Sequence, residues 1–129
     1  MRAKPELLAK SIHESYKNVW LLEINGHCNA EDFLAALEVV DLNKLLPVMR
    51  RVDENLTYRH QERFKQLSGR VFEFKSHRHR LFCFQTDRGF ICTDGMKKQK
   101  STRSRVSDSM IAATHELALR FNKEGAYRD

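Results

Sequence analysis

From Val71 to Lys75 apolar and charged residues alternate, with Phe72 and Phe74 on one side and Glu73 and Lys75 on the other. A period of two that is rich in aromatics predicts a half-buried strand. Leu81-Phe82-Cys83-Phe84 and Phe90-Ile91-Cys92-Thr93 are two further short apolar runs. Between them stands Thr86-Asp87-Arg88-Gly89, a turn signal, because Gly89 tolerates the positive φ that hairpin turns require. Counting outward from that turn sets Gln85 against Phe90, Phe84 against Ile91 and Cys83 against Cys92. The two thiols are then reduced neighbours on one face, with Phe82, Phe84, Ile91 and Arg80 on the other. Three antiparallel strands follow one another and lead into the basic tract from Lys97 to Arg105.

Elsewhere the period is helical or mixed. Leu7, Leu8 and Ile12 predict a short amphipathic helix within residues 3–15, part of an N-terminal extension over 1–17. Val19 to Ile24 reads as a strand ending at Asn25-Gly26. Asn29 offers an N-cap, Glu31 and Asp32 suit a first turn, and Phe33, Leu34, Leu37 and Val40 form one stripe, predicting a helix over 30–40. Asp41 can cap a second helix that buries Leu42, Leu45, Leu46, Met49, Val52 and Leu56. Pro47 interrupts it, and a proline inside a helix costs about 3 kcal/mol, so a kink or restart is expected. Residues 57–67 read as a turn and short helix with Gly69 as its C-cap. Met110, Ala113, Leu117 and Phe121 predict a last helix from Ser107 to Lys123, with Glu116 and Arg120 at i, i+4, and residues 125–129 form a loose tail. The expected class is α+β in one domain over 1–129: strand, helical hairpin, three-stranded antiparallel meander and C-terminal helix.

Charge changes this picture more than composition does. The net charge is +6, and it is uneven: residues 1–56 carry 7 Lys/Arg against 9 Asp/Glu, residues 57–129 carry 16 against 8. The basic half favours nucleic acid or another acidic partner over the alternative, a merely solvated basic face. No apolar run approaches the ~18 residues of a membrane span, and no signal-peptide pattern follows Met1, which predicts a cytoplasmic protein without a membrane partner. Cys28, Cys83 and Cys92 are scattered and odd in number, fitting buried thiols in a reducing compartment.

Two constellations carry chemistry. His77-Arg78-His79-Arg80 reads either as a solvated strand end at a β-turn or, if extended, as two histidines on one face and two arginines on the other. An imidazole there can act as general base or acid beside a phosphate. A metal would need His60 or Cys92 as further ligands, and no spacing supports that. Lys97, Lys98, Lys100, Arg103 and Arg105 leave the last strand opposite Lys75 and Arg80. Cations converging on one groove bind a phosphate backbone and can stabilise the charge of its cleavage.

Taken in order, Glu73-Phe74-Lys75, Arg80-Leu81-Phe82, Asp94-Gly95-Met96-Lys97-Lys98 and Thr102 form a series that resembles the RelE/ParE toxin superfamily, in its HigB-like branch of bacteria and phages. The similarity runs over residues 30–120. It implies a RelE-like fold and the toxin of a type II toxin–antitoxin pair: a ribosome-dependent mRNA endoribonuclease needing neither metal nor cofactor. Its partners would be mRNA on the ribosome and a helix-turn-helix antitoxin. The matched positions Lys75, Arg80, Lys97 and Lys98 would lie on or beside the RNA-binding face, with Lys75, Lys97 or a nearby histidine (His77 or His79) promoting deprotonation and Arg80 and Lys98 holding the phosphate. Lys100, Arg103, Arg105 and Arg78 join them as RNA contacts on charge alone. Three positions depart from the pattern. The family's Lys-Thr-Pro is Ser101-Thr102-Arg103, its strand tyrosine is His79, and Tyr127 lies beyond the last helix. Those departures suit the other reading, a non-catalytic member: a ParE-like gyrase inhibitor, or a phage protein that binds nucleic acid or a host factor.

Overall fold

The computed structural model describes residues 1–8, 12–98 and 105–128, with the side chains of residues 105 and 106 left aside. Three short strands, β1 (Arg2–Lys4), β2 (Glu6–Leu7) and β3 (Glu14–Ser15), precede β4 (Val19–Glu23). The helices α1 (Asn29–Ala36) and α2 (Val39–Glu54) follow. Then come β5 (Phe64–Ser68), β6 (Val71–Ser76), β7 (His79–Thr86), β8 (Gly89–Lys97), α3 (Arg105–Glu124) and β9 (Ala126–Tyr127). Among the described residues, seven strands join one sheet in the order β5-β6-β7-β8-β4-β1-β9, and β2 pairs with β3 apart from it. The sheet is mixed: β4 runs parallel to β8 and β1 parallel to β9, while the other neighbours are antiparallel. No described helix is long and apolar enough to cross a membrane.

This is not the RelE-like layout that the resemblance implied. Strands open the chain, the helices sit between strands, and a four-stranded meander from β5 to β8 stands where three strands were expected. Each difference has a physical source. The described residues of the N-terminal tract form strands, not a helix, because the backbone serves β4: Arg2, Ala3 and Lys4 pair with Glu23, Leu22 and Leu21, covering groups that an edge would leave open. Gly69 adopts φ +53°. That left-handed conformation suits a helix C-cap and a hairpin turn equally, and here it links β5 to β6. Residues 125–128 are not loose either, and residue 129 lies outside the described residues. Ala126 and Tyr127 form β9, and the Arg128 N–H donates to the Ala3 carbonyl at 2.8 Å.

The helical hairpin is found with shifted bounds. Cys28 stands at the N-cap of α1 and Glu38 at that of α2, so Asn29 and Asp41 lie inside their helices. Pro47 is held within α2, which buries Leu42, Leu45, Leu46, Met49 and Val52, while Leu56 lies beyond its end at Glu54 and is only partly buried. Arg120 pairs forward with Glu124 at 3.2 Å and not back to Glu116.

The sheet separates two apolar layers. Under α1 and α2 lie Leu21, Phe64, Phe72, Phe74, Leu81, Cys83, Phe90 and Cys92. Under α3, against its Ala118 and Phe121, lie Trp20, Leu22, Phe84 and Ile91. Cys83 pairs with Cys92, Phe84 with Ile91 and Gln85 with Phe90, the register that the Asp87-Arg88 turn requires, and both thiols are free. Beyond Cys83 a bulge inserts Thr93, whose hydroxyl donates to the Phe82 carbonyl at 3.3 Å.

Candidate nucleic-acid interface

The β6–β7 hairpin builds the site. Its turn is His77-Arg78, with His77 in the left-handed region at φ +54°, so the tetrapeptide is bent and its histidines do not share a face. Lys75 pairs across the strands with Arg80, Glu73 with Phe82, and Lys65 on β5 with Glu73. Opposed residues in a sheet point the same way, so these five side chains stand together on the α3 face. The strand β8 delivers Lys98 to the same place, its N–H fixed by the Arg78 carbonyl at 2.7 Å. Ser107 and Ile111 of α3 close a cavity of about 140 Å³ over Lys65, Glu73, Lys75, Arg80, Phe82 and Lys98. Small-molecule sites commonly measure roughly 300–1,000 Å³, so this one suits a group the size of a phosphate, not a whole nucleotide.

Four cations here surround one carboxylate. Glu73 is only 6% exposed. Arg80 Nε lies 3.5 Å and Lys65 Nζ 4.0 Å from its oxygens. Burial pushes the Glu73 carboxyl above the usual carboxylate range, against the pull of Arg80, Lys75, Lys65 and Lys98. Burial also draws Lys75 below its usual range, helped by the positive charge of Lys65 and Arg80. Lys75 Nζ donates to the Gln61 carbonyl at 3.4 Å. Arg80 is the best fixed of the group, donating to the carbonyls of His77 at 2.6 Å and His79 at 3.0 Å. A guanidinium anchored on one side presents its remaining donors in a set direction, which suits an oxyanion.

The other expected residues are elsewhere. His79 and Lys97 are paired across β7 and β8, and His79 packs on the α1/α2 side, its ring 6.3 Å from Phe33. It is 8% exposed and its Nδ1 has no hydrogen-bond partner among the described residues; Asp41 Oδ1 lies 3.9 Å away. Burial lowers the His79 pKa, with Asp41 opposing. His77 is exposed at the turn and Arg78 half-buried beside it. Lys100 and Arg103 lie outside the described residues, and Arg105 is placed only as the first residue of α3. Cys92 is fully buried while His60 is exposed, so the two do not form a ligand pair. Lys65 and Glu73 are the residues that sequence reasoning missed. Alternation alone makes Glu73 the outward position of a strand, and Lys65 falls in a segment whose sequence predicts a turn and helix.

No protein-family model and no curated protein matches the chain. The functional reading therefore stands on the pocket itself. A larger cavity of about 620 Å³ lies between α3 and the β4–β8 pair, with Leu22, Met110 and Leu117 among its walls and His27, Asp94, Glu116 and Arg120 as its titratable lining. One arginine against two carboxylates makes it a poorer match for a phosphate backbone than the four-cation pocket.

Proposed function

We propose that this chain is an RNA-cleaving toxin of a toxin–antitoxin pair, acting on mRNA at the ribosome in the cytoplasm, and that the pocket of Lys65, Lys75, Arg80 and Lys98 around Glu73 holds the scissile phosphate. The convergence of those four cations on a phosphate-sized space supports the reading. So does the motif order that Lys75, Arg80 and Lys98 share with HigB-like toxins. No metal-dependent step is invoked. The RNA's 2′-hydroxyl attacks the adjacent phosphorus, the 5′-oxygen of the next nucleotide departs and takes a proton from water, and the products are a 2′,3′-cyclic phosphate and a 5′-hydroxyl. Lys75 suits the base, because a lowered pKa leaves more neutral amine to accept the 2′-hydroxyl proton. Arg80, Lys98 and Lys65 stabilise the charge that grows on the phosphorane oxygens. A smaller helix-turn-helix antitoxin neutralises the protein by covering this face.

The test is cleavage itself. Purified protein added to translating ribosomes should leave mRNA ends bearing 2′,3′-cyclic phosphate. Arg80→Ala should reduce the rate by about 100-fold or more, the usual loss when one preorganised charge donor is removed. Intact mRNA, on ribosomes and free, would end the enzyme reading. One observation favours the non-catalytic alternative, a gyrase inhibitor or a nucleic-acid or host-factor binder. Both histidines that could have moved protons lie away from the pocket, His79 on the opposite face and His77 at the turn. Induction in cells separates the two: cut mRNA with loss of translation for the first, intact mRNA, with DNA damage where gyrase is the target, for the second.

A further inference from the structure

Glu73 stands among the pocket's cations, and any anion that enters has to share them with it. The register sets Lys65 across from Glu73 on β5 and Phe82 across from it on β7, with Lys75 two residues along its own strand. Arg80 approaches from β7, Lys98 from beyond β8, and α3 contributes the uncharged Ser107 and Ile111. Among the described residues, those are the charged groups that line the pocket around Glu73.

We infer that an oxyanion enters this pocket together with one proton, which Glu73 takes up. The inference rests on the phosphate site proposed above and adds how that site is loaded. Two anions held in a space of about 140 Å³ disfavour each other's ionised forms, because little water can stand between them. The bound oxyanion keeps its charge and the carboxylate yields. Burial has already brought Glu73 part of the way, since it outweighs four nearby cations in setting the direction of the shift. Protonation also changes what Glu73 can do. An ionised carboxylate only accepts hydrogen bonds, whereas the acid form offers an O–H to an oxygen of the bound anion. The site thereby selects tetrahedral oxyanions with free acceptor oxygens, such as the phosphodiester of an RNA backbone. Lys75, whose amine burial holds below its usual range, also gains proton affinity when an anion binds, and the Glu73→Gln variant separates its response from that of Glu73.

Sulfate keeps its charge across the neutral range and is the probe for the pocket. A 2′-O-methylated RNA oligonucleotide, which cannot cut itself, is the probe for the RNA reading. Calorimetric titration in buffers of different ionisation enthalpy counts the protons taken up. Wild-type protein should take up close to one proton per sulfate within the Glu73 window, and its affinity should fall by up to about tenfold per pH unit there. Glu73→Gln should abolish the uptake, flatten the slope and bind sulfate more tightly at neutral pH, and Arg80→Ala should lose the response. Wild-type protein that binds sulfate without proton uptake, or a Glu73→Gln protein that keeps the slope, overturns the inference. Proton counting on the wild type needs no variant, so a poorly folded Glu73→Gln protein does not block the test. Proton-coupled sulfate binding without RNA binding leaves the linkage standing and removes the RNA reading. RNA binding without proton uptake does the reverse, and no binding of either probe overturns both.

Discussion

Glu73 and His79 stand on successive strands of one hairpin, and burial moves their pKa values in opposite directions. The same cause acts on both, because burial disfavours whichever form is charged. Folded Glu73 holds its proton to higher pH than the unfolded chain does, so its contribution is full in acid and is lost as pH rises through the folded value. Folded His79 holds its proton less well than its usual 6.5. Its contribution is therefore present above that value and is lost as pH falls towards the folded one. Urea unfolding of wild type and His79→Gln at a series of pH values should show the difference between them shrinking as pH drops below 6.5. A flat difference would mean that His79 titrates alike folded and unfolded. Lys97 and Lys98 differ in another way: neighbours on an extended chain point to opposite faces, and only Lys98 reaches the pocket. Lys98→Ala should weaken RNA binding about tenfold and lower the salt slope by about one, with Lys97→Ala changing neither. Equal effects in the two variants would move the binding face away from the pocket. Sequence reading joined these lysines because adjacency is visible in a sequence. The face each one takes depends on β8 continuing to Lys97, through Asp94-Gly95-Met96, which carry no strand signal of their own.

Among the elements, the β7–β8 hairpin was the most legible and β5 the least. Two residues at Asp87-Arg88 fix the register on both sides, and Gly89 at φ +116° has a backbone that a side chain would strain. A Cβ there would also meet the Asn18 carbonyl, because β4 starts alongside. The strand β5 shows why signals fail. Phe64 is buried, while Gln66, on the same face, is exposed and bonds to the Gly69 carbonyl at 2.6 Å, so the apolar alternation lasts a single residue. Its open side is partly closed by the chain itself, as the His60 and Phe64 backbones bond to each other at 2.8 and 2.9 Å. Where helix meets strand, one carboxylate does the joining. Asp53, in the last turn of α2, accepts the backbone N–H groups of Lys17, Asn18 and Val19 at the start of β4. Asp53→Ala leaves those donors without their acceptor and should cost about 1–3 kcal/mol in chemical denaturation. A loss under about 0.5 kcal/mol would show that water replaces the carboxylate freely.

For the molecule as a whole, α1 and α2 seal one face of the sheet, while α3 covers the other and helps to frame the cationic pocket. The far end of that second face is closed by β9. Tyr127 packs edge-on against Trp20 at 4.7 Å, lies under the Arg88 guanidinium at 4.1 Å and donates its hydroxyl to Thr86 at 2.8 Å. Tyr127→Ala removes all three contacts and should lower stability by about 2 kcal/mol or more, read by thermal unfolding, while leaving the phosphate pocket's residues in place. The parallel pairing of β4 with β8 has a consequence in time. Val19 waits for Phe90, about seventy residues further along the chain. At roughly 5–20 residues per second that interval lasts several seconds of synthesis. Throughout it, Trp20, Leu21 and Leu22 have only β1 beside them, and the outer edge of β1 waits longer still, for Ala126 and Tyr127. Contacts so distant in sequence make for slow folding. A ribosome therefore carries this chain for seconds with its central strand half paired, and the sheet closes in an order opposite to its layout: the β5–β8 edge first, the β1–β9 edge last.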